Sequence, residues 1–388
     1  MRILHLVPNL NYGGLQKIVL LLALHQRRAG HTVTIASWSN FHNHPEAERQ
    51  LEEAGVKVVY PRREPDGAVT QSKKKLILRL KALMGTGGAG ILHVHNPFHY
   101  YLFGAIAARV AGHTKTIETV HATVMFDYPG YGSRGRRKFR IAAMLSHGLV
   151  SVSDESGAFL RKRFFLPGKK FFVVRNGIDM TPFLAVPVRA PSELIVIGTA
   201  GRMSFEKNHK VLIDAFLRVY RRHDNVRLRI LGGGKLEAEL RAKVQDLGLD
   251  DVVDFCGYSN DVPTFLSGLD VFALTSDSEA LPLSLIEAIA SGIPAVATSV
   301  GGVPSVIQNT SGGWLCEPNN ADSIAAAIES AIGSLSATGD VGFERDARTR
   351  RAREIAASLY SAERMAADYE VVYKKLLGRA LQPEQQTQ

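Results

Sequence analysis

Residues Ser276–Gly292 read S-D-S-E-A-L-P-L-S-L-I-E-A-I-A-S-G. An apolar strand, Asp270–Leu274, leads into this stretch, and a helix leaves it. Pro282 suits a first helical position, because its fixed φ fits a helix start and its missing N–H is not needed there. Leu283, Leu285, Ile286 and Ile289 then recur at helical spacing, and Gly292 closes the helix. Two carboxylates flank the helix start: Glu279 in the turn and Glu287 in the helix body. A helix N-terminus offers free N–H groups and partial positive charge, which suits an anion. Carboxylates repel anions but accept hydrogen bonds from hydroxyls. An anion with a hydroxyl-bearing group on either side fits that layout: sugar, diphosphate, ribose. Taken singly, Glu279 reads as dipole compensation and Glu287 as a solvated helix residue.

The strand–turn–helix unit recurs upstream. Leu194–Ala200 is an apolar strand followed by G-R-M-S-F-E-K-N, with Arg202 and Lys207 on a turn entering the helix Lys210–Arg221. Two cations there suit a diphosphate, Arg as a planar fork and Lys as a point charge. Val226–Leu231 runs into Gly232-Gly233-Gly234. A dinucleotide fingerprint fails at that point, since Leu236 and Glu237 occupy its later positions. That argues against a nicotinamide dehydrogenase. Val252–Cys256 is a strand followed by Gly257-Tyr258, and Ala295–Thr298 is a strand followed by Gly301-Gly302.

The first half has the same rhythm. Arg2–Val7 is a strand, Asn11-Tyr12-Gly13-Gly14 a turn, and Leu15–Ala29 a helix. That layout brings backbone N–H groups to a ligand. Gly90–His95 is a buried strand, Thr114–Val120 another, and His121 sits at the carboxyl end of the latter. In doubly wound sheets ligands bind outside the carboxyl ends of the strands. His93, His95 and His121 invite a metal, but the spacing of a third ligand is not typical of a metal site, so no metal is expected. Val186–Pro191 is a Pro-spaced linker. Ser334–Asp340 is a Gly/Ser linker, Arg348–Leu377 is helical with a break near Leu359–Ser361, and Gln382–Gln388 is a polar tail.

Charge is uneven. Residues 1–190 hold 27 Lys+Arg against 11 Asp+Glu, and the remainder 20 against 26. The basic half therefore meets something anionic. Arg62–Lys81 reads as a basic amphipathic helix suited to an anionic membrane, or as a solvated helix with its apolar face on the core. Ser133–Arg140 reads as a second basic cluster, in a Gly-rich loop. Nucleic acid is not expected, because these clusters lack interleaved aromatics. Two unrelated cysteines signal no disulfide framework. No apolar run reaches membrane-spanning length, and the start reads as a strand rather than a signal peptide. A cytoplasmic protein, peripheral on the inner face of the membrane, is the expectation.

Glu279 and Glu287, with seven residues between them and A-S-G-I-P-A-V-A-T beyond, resemble the E-x7-E signature of the family 4 glycosyltransferases. Further matches, in order, cover nearly the whole chain. The resemblance implies the GT-B fold: two doubly wound Rossmann-like α/β domains facing a cleft. Residues 1–188, completed by a C-terminal helix at about 362–380, would bind the acceptor, and 189–361 the nucleotide sugar. It implies a retaining, metal-independent hexosyltransferase without a cofactor. The sugar would pass from a nucleotide-diphosphate donor, a UDP-sugar as the working expectation, to a glycan or lipid-linked acceptor. Glu279 would contact the donor sugar, Glu287 the ribose, and Arg202 and Lys207 the diphosphate. His121 would stand near the reaction centre and His95 on the acceptor side. Gly13, Gly14, Gly301, Gly302, Leu283 and Tyr258 would line the substrate. Two positions depart from the family pattern, Ala280 where it has Gly and Ser305 where it has an acid. Two rivals are a sugar-nucleotide epimerase on the same fold and a non-catalytic membrane-surface protein.

Overall fold

The computed structural model describes residues 1–378 apart from 12, 40–44, 65, 86–89, 97–99, 124–125, 127–131, 188–191 and 336–339. The Pro-spaced linker, the Gly/Ser linker and the polar tail fall partly or wholly outside the described residues. The chain forms two compact units, Met1–Ile178 with Ala362–Gln388, and Asp179–Ser361.

The first unit alternates β1 (Arg2–Val7), α1 (Gly14–Arg28), β2 (Thr32–Ser37), α2 (Pro45–Glu53), β3 (Lys57–Val59), α3 (Lys73–Met84), β4 (Gly90–His95), α4 (Tyr101–Ala111), β5 (Thr114–Val120), α5 (Gly132–Leu145), β6 (Gly148–Ser151), α6 (Asp154–Phe164) and β7 (Phe171–Val173). The strands pair in parallel in the order β3-β2-β1-β4-β5-β6-β7. Every residue of β4 is buried, as expected for a parallel strand covered on both faces. The core packs Leu6, Leu92, Val94, Val120, Phe139 and Leu160.

The second unit opens with α7 (Thr181–Leu184) and continues with β8 (Ile195–Ala200), α8 (His209–Tyr220), β9 (Val226–Leu231), α9 (Glu237–Asp246), β10 (Val253–Gly257), α10 (Val262–Ser267), β11 (Val271–Leu274), α11 (Leu283–Ala290), β12 (Ala295–Thr298), α12 (Val303–Thr310), β13 (Gly313–Cys316), α13 (Ala321–Leu335) and α14 (Asp340–Tyr360). Its sheet runs β10-β9-β8-β11-β12-β13, again parallel. At Ser361 the helix breaks, and α15 (Ala362–Leu376) belongs to the first unit. There the Ala362 N–H donates to the Ile178 carbonyl at 2.9 Å. In each sheet the winding direction reverses once, between β1 and β4 and between β8 and β11. Those reversals are where such sheets leave a crevice beyond the strand ends.

Three expectations need correction. The unit boundary lies at Asp179 rather than after 188, because α7 packs on α11 and Arg353 bonds the Leu184 carbonyl, both in the second unit. Pro282 is the N-cap of α11, with extended backbone (φ −77°, ψ 117°), so Leu283 is the first helical residue. Residues 133–140 lie on α5 and not in a loop. Phe139, Ala142 and Ala143 bury one face of that helix, and the Phe139 ring stands 4.9 Å from Phe126 and 4.6 Å from Phe164. This packing outweighs the two weak helix formers, Gly132 and Gly135.

One buried carboxyl gives the first unit a pH signature. Glu118 is 1% exposed. It shares a short hydrogen bond with the Ser146 hydroxyl, and its Oε2 has no partner among the described residues. Burial pushes its pKa up to about 7 from 4.5. The stability this contributes is full below pH 4.5, where the unfolded carboxyl is also protonated, and is lost as pH rises through 7. Burial acts oppositely on His5, His121 and His209, each lowered to about 4. Their contribution is present above pH 6.5 and is lost as pH falls through 4. Glu118→Gln is expected to gain about 3 kcal/mol relative to wild type between pH 4.5 and pH 8. Urea unfolding of both proteins across that range checks it; parallel curves would refute the assignment.

Candidate functional site

At the winding reversal of the second unit, β8 delivers the loop 201–208 and β11 the turn 275–282. Lys207 Nζ stands 2.5 Å from Glu279 Oε1 in a partly buried ion pair, with side-chain exposures of 23% and 11%. The Ser276 hydroxyl donates to the same oxygen at 2.7 Å. Both bonds fall on Oε1, which leaves Oε2 outside this cluster. Arg202 is exposed on the same loop as Lys207.

The two loops are tied backbone to backbone. The Asp277 N–H donates to the Glu206 carbonyl at 2.9 Å. Asn208, left-handed at φ 46°, caps α8 and donates from Nδ2 to Asp277 Oδ1 at 2.9 Å. Asn tolerates that backbone conformation better than most residues. The Thr275 hydroxyl donates to the Asn208 carbonyl at 3.2 Å, and the Thr298 hydroxyl to the Ser276 carbonyl at 2.6 Å. On the other side Gly301 presses against the turn. At φ +49°, a Cβ there would lie 1.6 Å from the Glu279 carbonyl oxygen. Ala280 is not among the residues with positive φ, so its methyl is no strain, and it is buried.

Glu287 is 5% exposed, so it is not a solvated helix residue. It sits on α11, buried with Leu285, Ile286, Ala288, Ile289 and Ala290. Leu283, half-buried, is the first residue of that helix. Gly302 is the N-cap of α12. Tyr258 follows β10, is 60% exposed and donates to Asn260 Oδ1 at 2.8 Å. Phe205, between Arg202 and Lys207, is 79% exposed. The sequence reading missed Phe205, and also Ser276 and Asn208, whose roles exist only once the two loops meet.

In the first unit Gly13 is the N-cap of α1 and Gly14 its first residue. His5 pairs with His93 across β1 and β4, and His95 with Thr119 across β4 and β5. Period-two alternation puts these side chains on one face. They form a continuous network. His5 Nε2 meets Gln26 Oε1 at 2.7 Å, His5 Nδ1 meets His95 Nε2 at 2.9 Å, and His95 Nδ1 meets His121 Nε2 at 3.0 Å. A second arm runs from Gln26 Nε2 to Tyr373 Oη at 3.2 Å and from there to His93 Nδ1 at 2.6 Å. His93 Nε2 then meets Thr119 Oγ1 at 2.7 Å, which meets Tyr369 Oη at 3.0 Å. Burial holds His93 and His95 well below the usual imidazole range, so with His5 and His121 the cluster is neutral near pH 7.

His95 is fully buried with both ring nitrogens engaged. It is therefore corrected from a substrate contact to a residue that touches His121. His121 is half-buried at the end of β5, its N–H held by Asn96 Oδ1 at 2.8 Å. Its Nδ1 has no partner among the described residues, and neither has Oδ1 of buried Asn176, whose side chain acts to raise the His121 pKa against burial. Ligand atoms of His5, His93 and His95 lie within 4.8 Å of one another. Each of these ring nitrogens already has a hydrogen-bond partner, so a metal would have to displace the network.

With this geometry in place, comparison with known proteins is decisive. The model of glycosyltransferase family 4 matches residues 12–181, and that of glycosyl transferases group 1 matches 183–335. The chain belongs to glycosyltransferase family 4. It is 36% identical over 185 residues to the Escherichia coli protein named as the colanic acid biosynthesis glycosyltransferase WcaL, covering 46% of this chain and 45% of that one. The chain thus spans about half the length of that relative. It is 28% identical over 304 residues to the N-acetyl-alpha-D-glucosaminyl L-malate synthase of Bacillus anthracis, covering 74% and 75%. HepE of Anabaena, solved in complex with UDP, superimposes with a TM-score of 0.78 over 97% of this chain and 100% of that one, at 19% identity. That likeness establishes the GT-B fold of two parallel-sheet α/β domains.

Gly301→Ala tests the packing of this family member's site. A side chain there collides with backbone at a left-handed position, so the turn carrying Glu279 must shift. The variant is expected to lose about 2 kcal/mol or more of stability, read as a lower urea midpoint. Wild-type stability would show that Glu279 is not held this way.

Proposed function

We propose that this family 4 protein is a retaining, metal-independent glycosyltransferase. It moves a sugar from a nucleotide-diphosphate donor to a glycan or lipid-linked acceptor. The observation that carries the reading is the Lys207–Glu279–Ser276 cluster at the winding reversal, with Arg202 beside it and Glu287 buried on the following helix. Relatives named for polysaccharide and lipid-linked sugar synthesis support the substrate class, among them a UDP-Gal:alpha-D-GlcNAc-diphosphoundecaprenol galactosyltransferase.

In this reading Arg202 and Lys207 hold the donor diphosphate. Their positive charge stabilises the leaving group as the bond from the anomeric carbon to the phosphate oxygen breaks. The acceptor oxygen bonds to the same face of that carbon, and its proton passes to the departing phosphate. Glu279 takes a donor-sugar hydroxyl and Glu287 the ribose hydroxyls, while exposed Tyr258 meets the base. Gly13, Gly14, Leu283, Gly301 and Gly302 bring backbone close to the substrate. Thermal shift and nucleoside diphosphate release test this across a panel of uridine, guanosine and adenosine diphosphate sugars with EDTA present. One donor is expected to stabilise the wild type and be turned over. Lys207→Ala and Glu287→Ala are expected to lose turnover by about a hundredfold or more. Absence of donor binding, or dependence on added metal, would reject the reading.

A peripheral membrane site is supported on α5. Arg134, Arg137, Lys138 and Arg140 are exposed there beside Ile141 at 43% and Met144 at 58%. Basic and apolar side chains sharing one exposed face suit an anionic lipid surface. On α3 Leu76, Leu80 and Met84 are buried and Lys75 and Arg79 pair with Glu64, while Leu78 is 52% exposed. Among the described residues no helix is long and apolar enough to cross a membrane. Arg137→Glu with Lys138→Glu is expected to abolish sedimentation with vesicles containing phosphatidylglycerol and leave donor binding intact; unchanged sedimentation would remove α5 from the account.

A further inference from the structure

The buried histidine network has a chemical direction. A neutral imidazole carries one proton, so each ring that donates from one nitrogen must accept at the other. Gln26 presents its carbonyl oxygen to His5 Nε2. His5 must therefore carry its proton on Nε2 and accept at Nδ1. Its partner there is His95 Nε2, which must donate, leaving His95 Nδ1 as an acceptor. The partner of that atom is His121 Nε2, which must donate in turn. The chain ends on His121 Nδ1, which is buried and makes no well-formed hydrogen bond among the described residues; the Asn176 side chain, its own Oδ1 unpaired, interacts with this ring. The other arm follows from the same amide orientation: the Gln26 amide donates to Tyr373, whose hydroxyl proton then goes to His93 Nδ1, and His93 Nε2–H goes to Thr119.

We propose that Gln26, His5 and His95 are positioning residues: through this relay they fix His121 as its Nε2–H tautomer, with Nδ1 kept as an acceptor for a hydroxyl or amide proton. Tyr373 holds the Gln26 amide in the required orientation, so α15, from the far end of the chain, takes part in setting the state of His121. The relay stands on hydrogen bonds within the first unit alone. Its importance for transfer rests on the proposed glycosyltransferase reading, with His121 near the reaction centre as the family resemblance implies.

Among the described residues both ring nitrogens of His5, His93 and His95 are paired, and the unpaired atoms are His121 Nδ1 and Oδ1 of the neighbouring Asn176. A buried polar group left unpaired is costly, so the tautomers of the three rings cannot be changed one at a time; reversing one reverses its neighbour. Rings two and three places away from Gln26 therefore answer to its amide.

Nitrogen-15 NMR of the histidine-labelled full chain tests the relay without any substrate. The wild type holds 13 histidines, and single His→Asn variants at 5, 95 and 121 assign the three signals. All three are expected as Nε2–H tautomers, with couplings across the two N–H···N bonds. Gln26→Met keeps the side-chain length and removes the acceptor. It is expected to turn the His121 signal into a mixture of tautomers and to lower kcat about tenfold, with donor KM within about twofold. An Nδ1–H His121 in the wild type would overturn the proposal, as would a His121 signal unmoved in folded Gln26→Met. The wild-type spectrum decides even where the variant does not fold. Expected tautomers with full turnover in His121→Ala would sustain the relay and reject the role of His121 in transfer.

Discussion

Parallel strands cannot be joined by tight turns, so each must be followed by a crossover that returns the chain to the same edge. When the winding direction reverses, two neighbouring strands send their connections to opposite faces, and the sheet opens beyond their carboxyl ends. In this protein the charged candidate site residues of the second unit hang on that constraint. The loop after β8 carries the cations and the turn after β11 carries Glu279. They meet because β8 and β11 are hydrogen-bonded neighbours, although the paired positions Val271 and Ile197 lie 74 apart in the chain (271 − 197), with β9 and β10 between them. The Lys207–Glu279 pair, the Asn208–Asp277 bond and the Gly301 contact then convert proximity into a fixed geometry.

The first unit furnishes its own winding reversal, between β1 and β4, with neutral polar groups. Four histidines near a sheet face would repel one another if charged, and burial alone disfavours the charged form. The structure resolves this by keeping them neutral and pairing them with one another, with Gln26 and with Tyr373. The result is rigid where it is satisfied and chemically open at one atom. Glu118 is a contrasting solution on β5: a carboxyl with a single hydroxyl partner, its pKa raised by burial to about 7.

Two basic helices with similar composition have different fates. On α3 Leu76, Leu80 and Met84 fall on the inward face, Leu78 stays 52% exposed, and two of the cations find a carboxylate. On α5 the inward face is filled by Phe139, Ala142 and Ala143, which leaves Ile141 and Met144 outside among the cations. Composition could not separate them, because the difference lies in which helical face meets the sheet.

Much of the architecture was legible in the residues. Apolar runs punctuated by Gly and Pro marked the strands and turns, and the spacing of Arg202, Lys207, Glu279 and Glu287 marked the second unit's site. These signals are local, since each depends on a few consecutive residues. The boundary at Asp179, the N-cap role of Pro282 and the helix at 133–140 were not legible, because packing against distant segments decides them. Nor was the histidine relay. His95 in sequence is a polar residue near a strand end; Gln26 and Tyr373 are unremarked members of helices 347 positions apart. Sequence determined which groups could donate and accept. Only the tertiary structure, by stacking β1, β4 and β5 under α1 and α15, decided which donor met which acceptor, since hydrogen bonds act over about 3 Å and the chain brings those atoms that close only when folded.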